Sequence, residues 1–177
     1  VVKPETDESM YEIYQNAVSI FHDDPEVLQF IGETVYDHAL DDPQFLEYMN
    51  LAIDAFKREL SLLDGTGKVS QLKKVKNSLG AAYWNLSQSL DTLTNSKLAI
   101  SYYSELLELV SGESETYEYA RIKMKIGDVY QYLSFVDGIK ENCRSAISSY
   151  NEAIEIFSLE SNPLDLAQTY NSLGSAY

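Results

Sequence analysis

Basic residues, cysteine, histidine and proline are all scarce in this chain. Lys and Arg together number 13 against 28 Asp and Glu, which leaves a net charge of −15. Nucleic acids and anionic membranes both need a basic footprint, so neither is expected as a partner. The single cysteine, Cys143, cannot close an internal disulfide, and a reducing, cytoplasmic setting is expected. Two histidines, His22 and His38, give little material for a metal or acid–base site. No apolar run approaches the ~20 residues that span a bilayer, and no secretory leader pattern is visible. The chain begins at Val1 without methionine and stops at Tyr177 inside a repeated word, so it is expected to be a fragment of a longer repeat protein.

What the chain does have is a period. Gly80, Gly127 and Gly174 lie 47 residues apart, each in one word: Leu79-Gly80-Ala81-Ala82-Tyr83, Ile126-Gly127-Asp128-Val129-Tyr130, Leu173-Gly174-Ser175-Ala176-Tyr177. Ala52, Ala99 and Ala146 keep the same step, each followed by isoleucine and, four residues on, by Phe56, Tyr103 or Tyr150. Leu86-Ser87 returns as Leu133-Ser134, and Asn95 as Asn142. A looser copy begins at Ile31-Gly32, one residue out of step, with Val35 in the tyrosine place. A fixed period of this size marks one supersecondary unit stacked on copies of itself.

Apolar residues recur at spacings of three and four almost throughout, as in Leu98, Tyr102, Leu106 and Leu109, and no segment alternates as a strand would. Helices are predicted near 5–22, 25–40, 43–63, 69–89, 94–111, 115–135, 140–158 and 163–177. Asp24-Pro25, Asp42-Pro43 and Asn162-Pro163 read as a capping residue followed by proline at the first helical position. Gly65-Thr66-Gly67 reads as a loop, and Ser111-Gly112 as a helix end. Alternate helices carry the Gly word (helix A) and the Ala word (helix B). The first, with Tyr14-Gln15-Asn16-Ala17-Val18, resembles the B helix at Tyr150-Asn151-Glu152-Ala153-Ile154. Mid-helix glycine costs about 1 kcal/mol against alanine. Its recurrence therefore predicts a close approach of two helix backbones, with the small alanine of helix B as the reciprocal notch. Tyrosine and leucine are expected to fill the groove between successive A helices.

Leu-Gly-x-x-Tyr in one helix and Ala-Ile-x-x-Tyr in its partner resemble the tetratricopeptide repeat, well over 68–177 and loosely over 5–67. That unit is usually about 34 residues. Here it is 47, and Gly80 to Ala99 spans 19, so both helices and the turn between them are expected to be longer, as in long-period arrays of some archaea and bacteria. Glu59 and Leu106 stand where alanine is usual. HEAT-type repeats share a period near 47 and are the alternative fold, but they lack the Gly-x-x-Tyr word. The resemblance implies an all-α, right-handed α-solenoid of antiparallel helix pairs. It divides the chain into a partial repeat at 1–22, repeats at 23–67, 68–114 and 115–161, and a truncated fourth at 162–177.

Candidate chemistry is thin. His22-Asp23-Asp24 reads as a helix end running into a cap, in preference to a metal cluster. Asp64-Gly-Thr-Gly-Lys-Val-Ser70 fails as a calcium loop, since Leu62 and Lys73 would hold ligand positions. Gly67-Lys68 lacks the upstream glycine and the hydroxyl of a phosphate loop. Cys143 reads as a small helix residue. No cofactor and no catalytic residue are expected.

The resemblance implies instead a binding surface, because A helices of such arrays line the concave face. Its inward positions lie six and three residues before the glycine and one, four and five after it. They fall on Lys74, Asn77, Ala81, Trp84 and Asn85; on Arg121, Met124, Asp128, Gln131 and Tyr132; and on Gln168, Asn171 and Ser175. In the looser copy they fall on Glu26, Gln29, Glu33, Tyr36 and Asp37. Lys125 should border the same stripe. The expectation is a non-catalytic protein-interaction scaffold whose groove takes a peptide or protein segment of acidic character, with Lys74, Arg121 and Lys125 meeting its charge. The carboxylate-clamp subtype is disfavoured, because Glu33, Ala81, Asp128 and Ser175 stand where it carries asparagine. The alternative function is a sensor region controlling an attached effector domain. End-to-end self-association through Tyr170, Leu173 and Tyr177 is a further expectation.

Overall fold

The computed structural model describes residues 9–42, 44–110, 116–158 and 161–177. Among these residues there are eight helices and no strand. They are α1 (Met10–Ile20), α2 (Pro25–Asp41), α3 (Phe45–Leu63), α4 (Val69–Ser87), α5 (Thr92–Leu109), α6 (Thr116–Ser134), α7 (Ile139–Ile154) and α8 (Pro163–Ala176). Packing divides the chain into two compact units, residues 1–78 and 79–177. Within them α2 packs on α3, α5 on α6, α6 on α7 and α7 on α8. The all-α class expected from the sequence holds, with the neighbour-on-neighbour packing of a helical repeat array. No described helix is long and apolar enough to cross a membrane.

Helix boundaries follow local chemistry. Ser9 and Glu12 form a reciprocal capping box that starts α1, a signal the sequence reading passed over; residues 5–8 of the predicted helix lie outside the described residues. Asp24 Oδ1 accepts from the backbone N–H groups of Glu26 and Val27 at 3.0 and 3.1 Å, as a cap should. Two expected caps fail. Asp42 ends α2, and its side chain accepts from Gln44 N at 2.7 Å in the turn before α3, which begins only at Phe45; Pro43 lies outside the described residues. Asn162 makes no capping bond, although Pro163 opens α8 as predicted. Helix α5 starts two residues early because Asp91, in the left-handed region at φ 39°, caps it through Thr94 N. Its expected end at Ser111-Gly112 lies outside the described residues. Helix α7 stops at Ile154, four residues short of the prediction.

The A–B turn explains the other repeated words. Ser87 Oγ donates to Trp84 O at 2.7 Å, and Ser134 Oγ to Gln131 O at 2.6 Å, as the A helix ends. The Asn95 amide donates to Leu90 O at 2.5 Å, and that of Asn142 to Asp137 O at 2.6 Å. Each asparagine thus ties the start of helix B to a carbonyl of the turn before it. Between them, Asp91 and Gly138 occupy equivalent left-handed positions.

In the first unit the core is the i, i+3/i+4 face of α2 (Leu28, Ile31, Val35, Ala39) against that of α3 (Met49, Ala52, Phe56, Leu63). Each such large side chain contributes roughly 1.5–3 kcal/mol by leaving water. In the second unit Ala120 and Ala153 pack with Phe157 and Leu166, and Ala146 with Tyr150 and Ala176.

The glycine rule takes a different form from the one expected. A Cβ built on Gly80 would come within 2.5 Å of the Tyr103 ring, and one on Gly127 within 2.5 Å of the Tyr150 ring. Gly32 faces the Phe56 ring in the same way, so the looser first copy obeys the rule too. The close approach is therefore of an aromatic ring to a helix backbone, and not of two backbones. The ring comes from the residue four places after the repeated alanine. Gly174 has no neighbour within 4 Å of the corresponding point.

Position 59 breaks the apolar pattern. Its equivalents in the next two repeats are Leu106 and Ala153, both fully buried; here Glu59 is 2% exposed, with Oε2 lacking a hydrogen-bond partner. Burial pushes its carboxyl up to about 8, Glu33 adds to the rise, and Lys74 partly offsets it. The acid is thus neutral in the fold near neutrality.

Gly127→Ala should destabilise by about 1–3 kcal/mol through overpacking. Gly174→Ala should be neutral, or stabilise by up to about 1 kcal/mol through helix propensity; thermal melts of the two variants check the contrast. Because the folded chain keeps a proton that the unfolded chain releases above 4.5, the stability owed to Glu59 falls as pH climbs from there toward 8. Glu59→Gln should therefore melt higher than the parent at pH 8, and the gap should narrow toward pH 5.

Candidate functional site

Helix α6 carries its glycine near the middle, which fixes the rest of its surface. With Gly127 against Tyr150, the residues one, four and five places on, Asp128, Gln131 and Tyr132, turn to one half-exposed face. Tyr132 meets Trp84 of α4 edge to face, with ring centroids 5.3 Å apart. Aromatic pairs favour this geometry because a positive ring edge meets a negative ring face. Trp84, Asp128, Gln131 and Tyr132, together with Phe135, line one open cavity of 290 Å³ within the second unit.

Asp128 and Gln131 are braced from the partner helix. The Tyr150 hydroxyl lies 2.8 Å from both Asp128 Oδ1 and Gln131 Oε1 and donates its proton to one of them at a time. Ser172 of α8 also hydrogen-bonds Asp128. Burial nevertheless pushes the Asp128 carboxyl above its ordinary range, and the two hydroxyls only partly oppose the shift. The Tyr150 hydroxyl is raised far above its usual value by its own burial and by the adjacent carboxylate. One tyrosine thus fills the glycine notch with its ring and orients two pocket residues with its hydroxyl.

The remaining predicted residues scatter by role. Lys74 and Asn77 belong to the first unit. Lys74 is exposed and influences Glu59, and Asn77 is half-buried. Asn85 is half-buried on α4. Met124 packs against two apolar clusters of the second unit, so it serves the core rather than the surface. Lys125 lies over the Tyr103 ring at 5.4 Å, and burial and Arg121 lower its pKa. Arg121 is half-exposed, 5.9 Å from the Tyr117 ring and 4.0 Å from Asp165. Gln168 and Asn171 are exposed on α8. In the looser copy, Gln29 donates to Glu33 at 2.7 Å and to Ser78 at 3.3 Å, and Gln71 donates to Glu26 at 3.2 Å, so these polar groups serve α2–α4 contact. Tyr36 is half-buried and Asp37 exposed.

Phe135 was missed. It stands 77% exposed just after α6, followed by exposed Val136 and Ile139. The signal was in the repeat: Gln88 holds the equivalent place, so the aromatic departs from the pattern at a turn where nothing in the fold requires it. No family model matches this chain, and no curated protein matches it either.

Proposed function

We propose that this chain is a non-catalytic protein-interaction module of the long-period tetratricopeptide type, which takes a peptide or protein segment at the α4–α6 pocket. The observation that carries the reading is the convergence of Trp84, Asp128, Gln131 and Tyr132 with Phe135 around one open cavity. Exposed aromatics on a rigid support are the usual anchors of an interface, since they bury much area at little entropic cost. The apolar surface extends along the turn through Val136 and Ile139, which suits a segment longer than one side chain. Gln131 carries a side-chain amide, able to meet the backbone of an extended peptide. Asp128 is held by two hydroxyls that brace helices, an arrangement suited to support rather than to proton transfer.

The tetratricopeptide assignment draws on the Gly–aromatic pairing, kept in three copies, and on the Ser and Asn turn words. The acidic composition favours a protein partner over nucleic acid or membrane, and the single Cys143 suits a cytoplasmic setting. Two of the three cations that led to an acidic partner have other engagements: Lys125 sits over Tyr103 and Arg121 beside Asp165. The character of the bound segment is therefore better argued from the pocket.

Panning a random peptide display library against the full chain should enrich a shared motif. Phe135→Ala and Tyr132→Ala should each weaken the enriched peptides by about tenfold or more, the first with the melt little changed and the second with some loss of stability from the broken Trp84 contact. No enriched motif, or equal binding to both variants, would remove the reading.

A further inference from the structure

We propose that the cavity framed by Trp84, Tyr132 and Phe135 over Asp128 receives a cationic side chain, a lysine or arginine of the bound segment. The inference rests on the interaction reading above and names the chemistry of its central contact.

Three aromatic rings and one carboxylate line a space of 290 Å³. A ring face is electron-rich and attracts a cation, and the attraction strengthens when water is displaced. Neutral aliphatic groups gain only burial from such walls, whereas a cation gains the ring faces and the carboxylate together. Asp128 supplies the discriminating charge. Its protein partners are the hydroxyls of Tyr150 and Ser172, which orient the carboxylate without neutralising it. Burial without a counter-charge disfavours the ionised form, and an incoming cation reverses that penalty.

Two cations of α6 are engaged elsewhere. Lys125 lies over Tyr103, and Arg121 lies near Tyr117 and Asp165. Long-range charge points the same way: a net charge of −15 attracts basic segments and repels acidic ones before contact. The cavity is small for a cofactor-sized ligand, but sized for one long side chain. The reading reverses the charge expected of the partner from sequence, because that expectation counted lysine and arginine along a stripe and did not know what they pack against.

Trp84 is the only tryptophan of the chain, so its indole N–H signal reports this site alone. The probes are n-butylguanidinium and its neutral isostere n-butylurea, titrated into the full chain at matched ionic strength while the Trp84 indole and Phe135 backbone resonances are followed. Butylguanidinium should shift both signals saturably and bind about tenfold tighter than butylurea, the difference expected of a partly desolvated cation–ring and carboxylate contact. Asp128→Asn should abolish the preference between the two probes. If that variant melts early, Phe135→Ala, at an exposed position, should weaken butylguanidinium more than butylurea. Equal binding of the two probes by the parent chain would overturn the proposal while leaving a charge-blind peptide site intact. No shift of Trp84 with either probe would also overturn it. Library panning tests the interaction reading separately, so specific butylguanidinium binding with no enriched peptide would uphold the cation site and remove the peptide module.

Discussion

An aromatic ring seated where a side chain is missing organises this protein. Gly80 and Gly127 give up helix propensity, about 1 kcal/mol each, and in exchange the rings of Tyr103 and Tyr150 occupy the space a Cβ would take on the preceding A helix. Phe56 does the same at Gly32. In α2, α4 and α6 the rotation of the helix about its axis and the direction of its remaining side chains depend on that contact. Both partners of the pair are buried, so neither can change size without moving the other.

The proposed site depends on the same contact through Tyr150. Phe56 has no polar tip, so its copy of the pair is packing alone. The Tyr150 hydroxyl reaches back to Asp128 and Gln131, one and four residues beyond the glycine. Packing at Gly127 therefore sets the aim of the pocket's polar floor. The aromatic lining comes from Trp84, Tyr132 and Phe135, the first two in edge-to-face contact. A rigid support for a few exposed aromatics is what an interaction site requires.

Much of this was legible in the sequence, because a repeat prints its packing rules several times. The eight helices and the A and B words came from periodicity, and the inward positions flanking each glycine from the resemblance to the tetratricopeptide repeat. Four of the five pocket-lining residues were named in that way. What escaped was physical detail that a period does not encode. Glycine recurrence signals that space is needed, but not whether a backbone or a ring takes it. Asp42 and Asn162 have the right chemistry for caps, but Asp42 falls two residues ahead of the N-cap of α3 and Asn162 makes no capping bond. Met124 and Lys125 share the stripe of Asp128 in sequence, yet a flexible thioether and a long alkyl stem both find apolar surface to cover. Phe135 was hidden by standing where the repeat has glutamine.

The most direct test of the account is a double-mutant cycle joining Gly127→Ala with Tyr150→Leu, read by equilibrium unfolding. If the ring is what the glycine accommodates, the alanine should lose its cost once the ring is gone. In the Tyr150→Leu background it should even add up to about 1 kcal/mol of stability through its helix propensity. The same loss from Gly127→Ala in both backgrounds would contradict the account, since the glycine would then answer to something other than Tyr150.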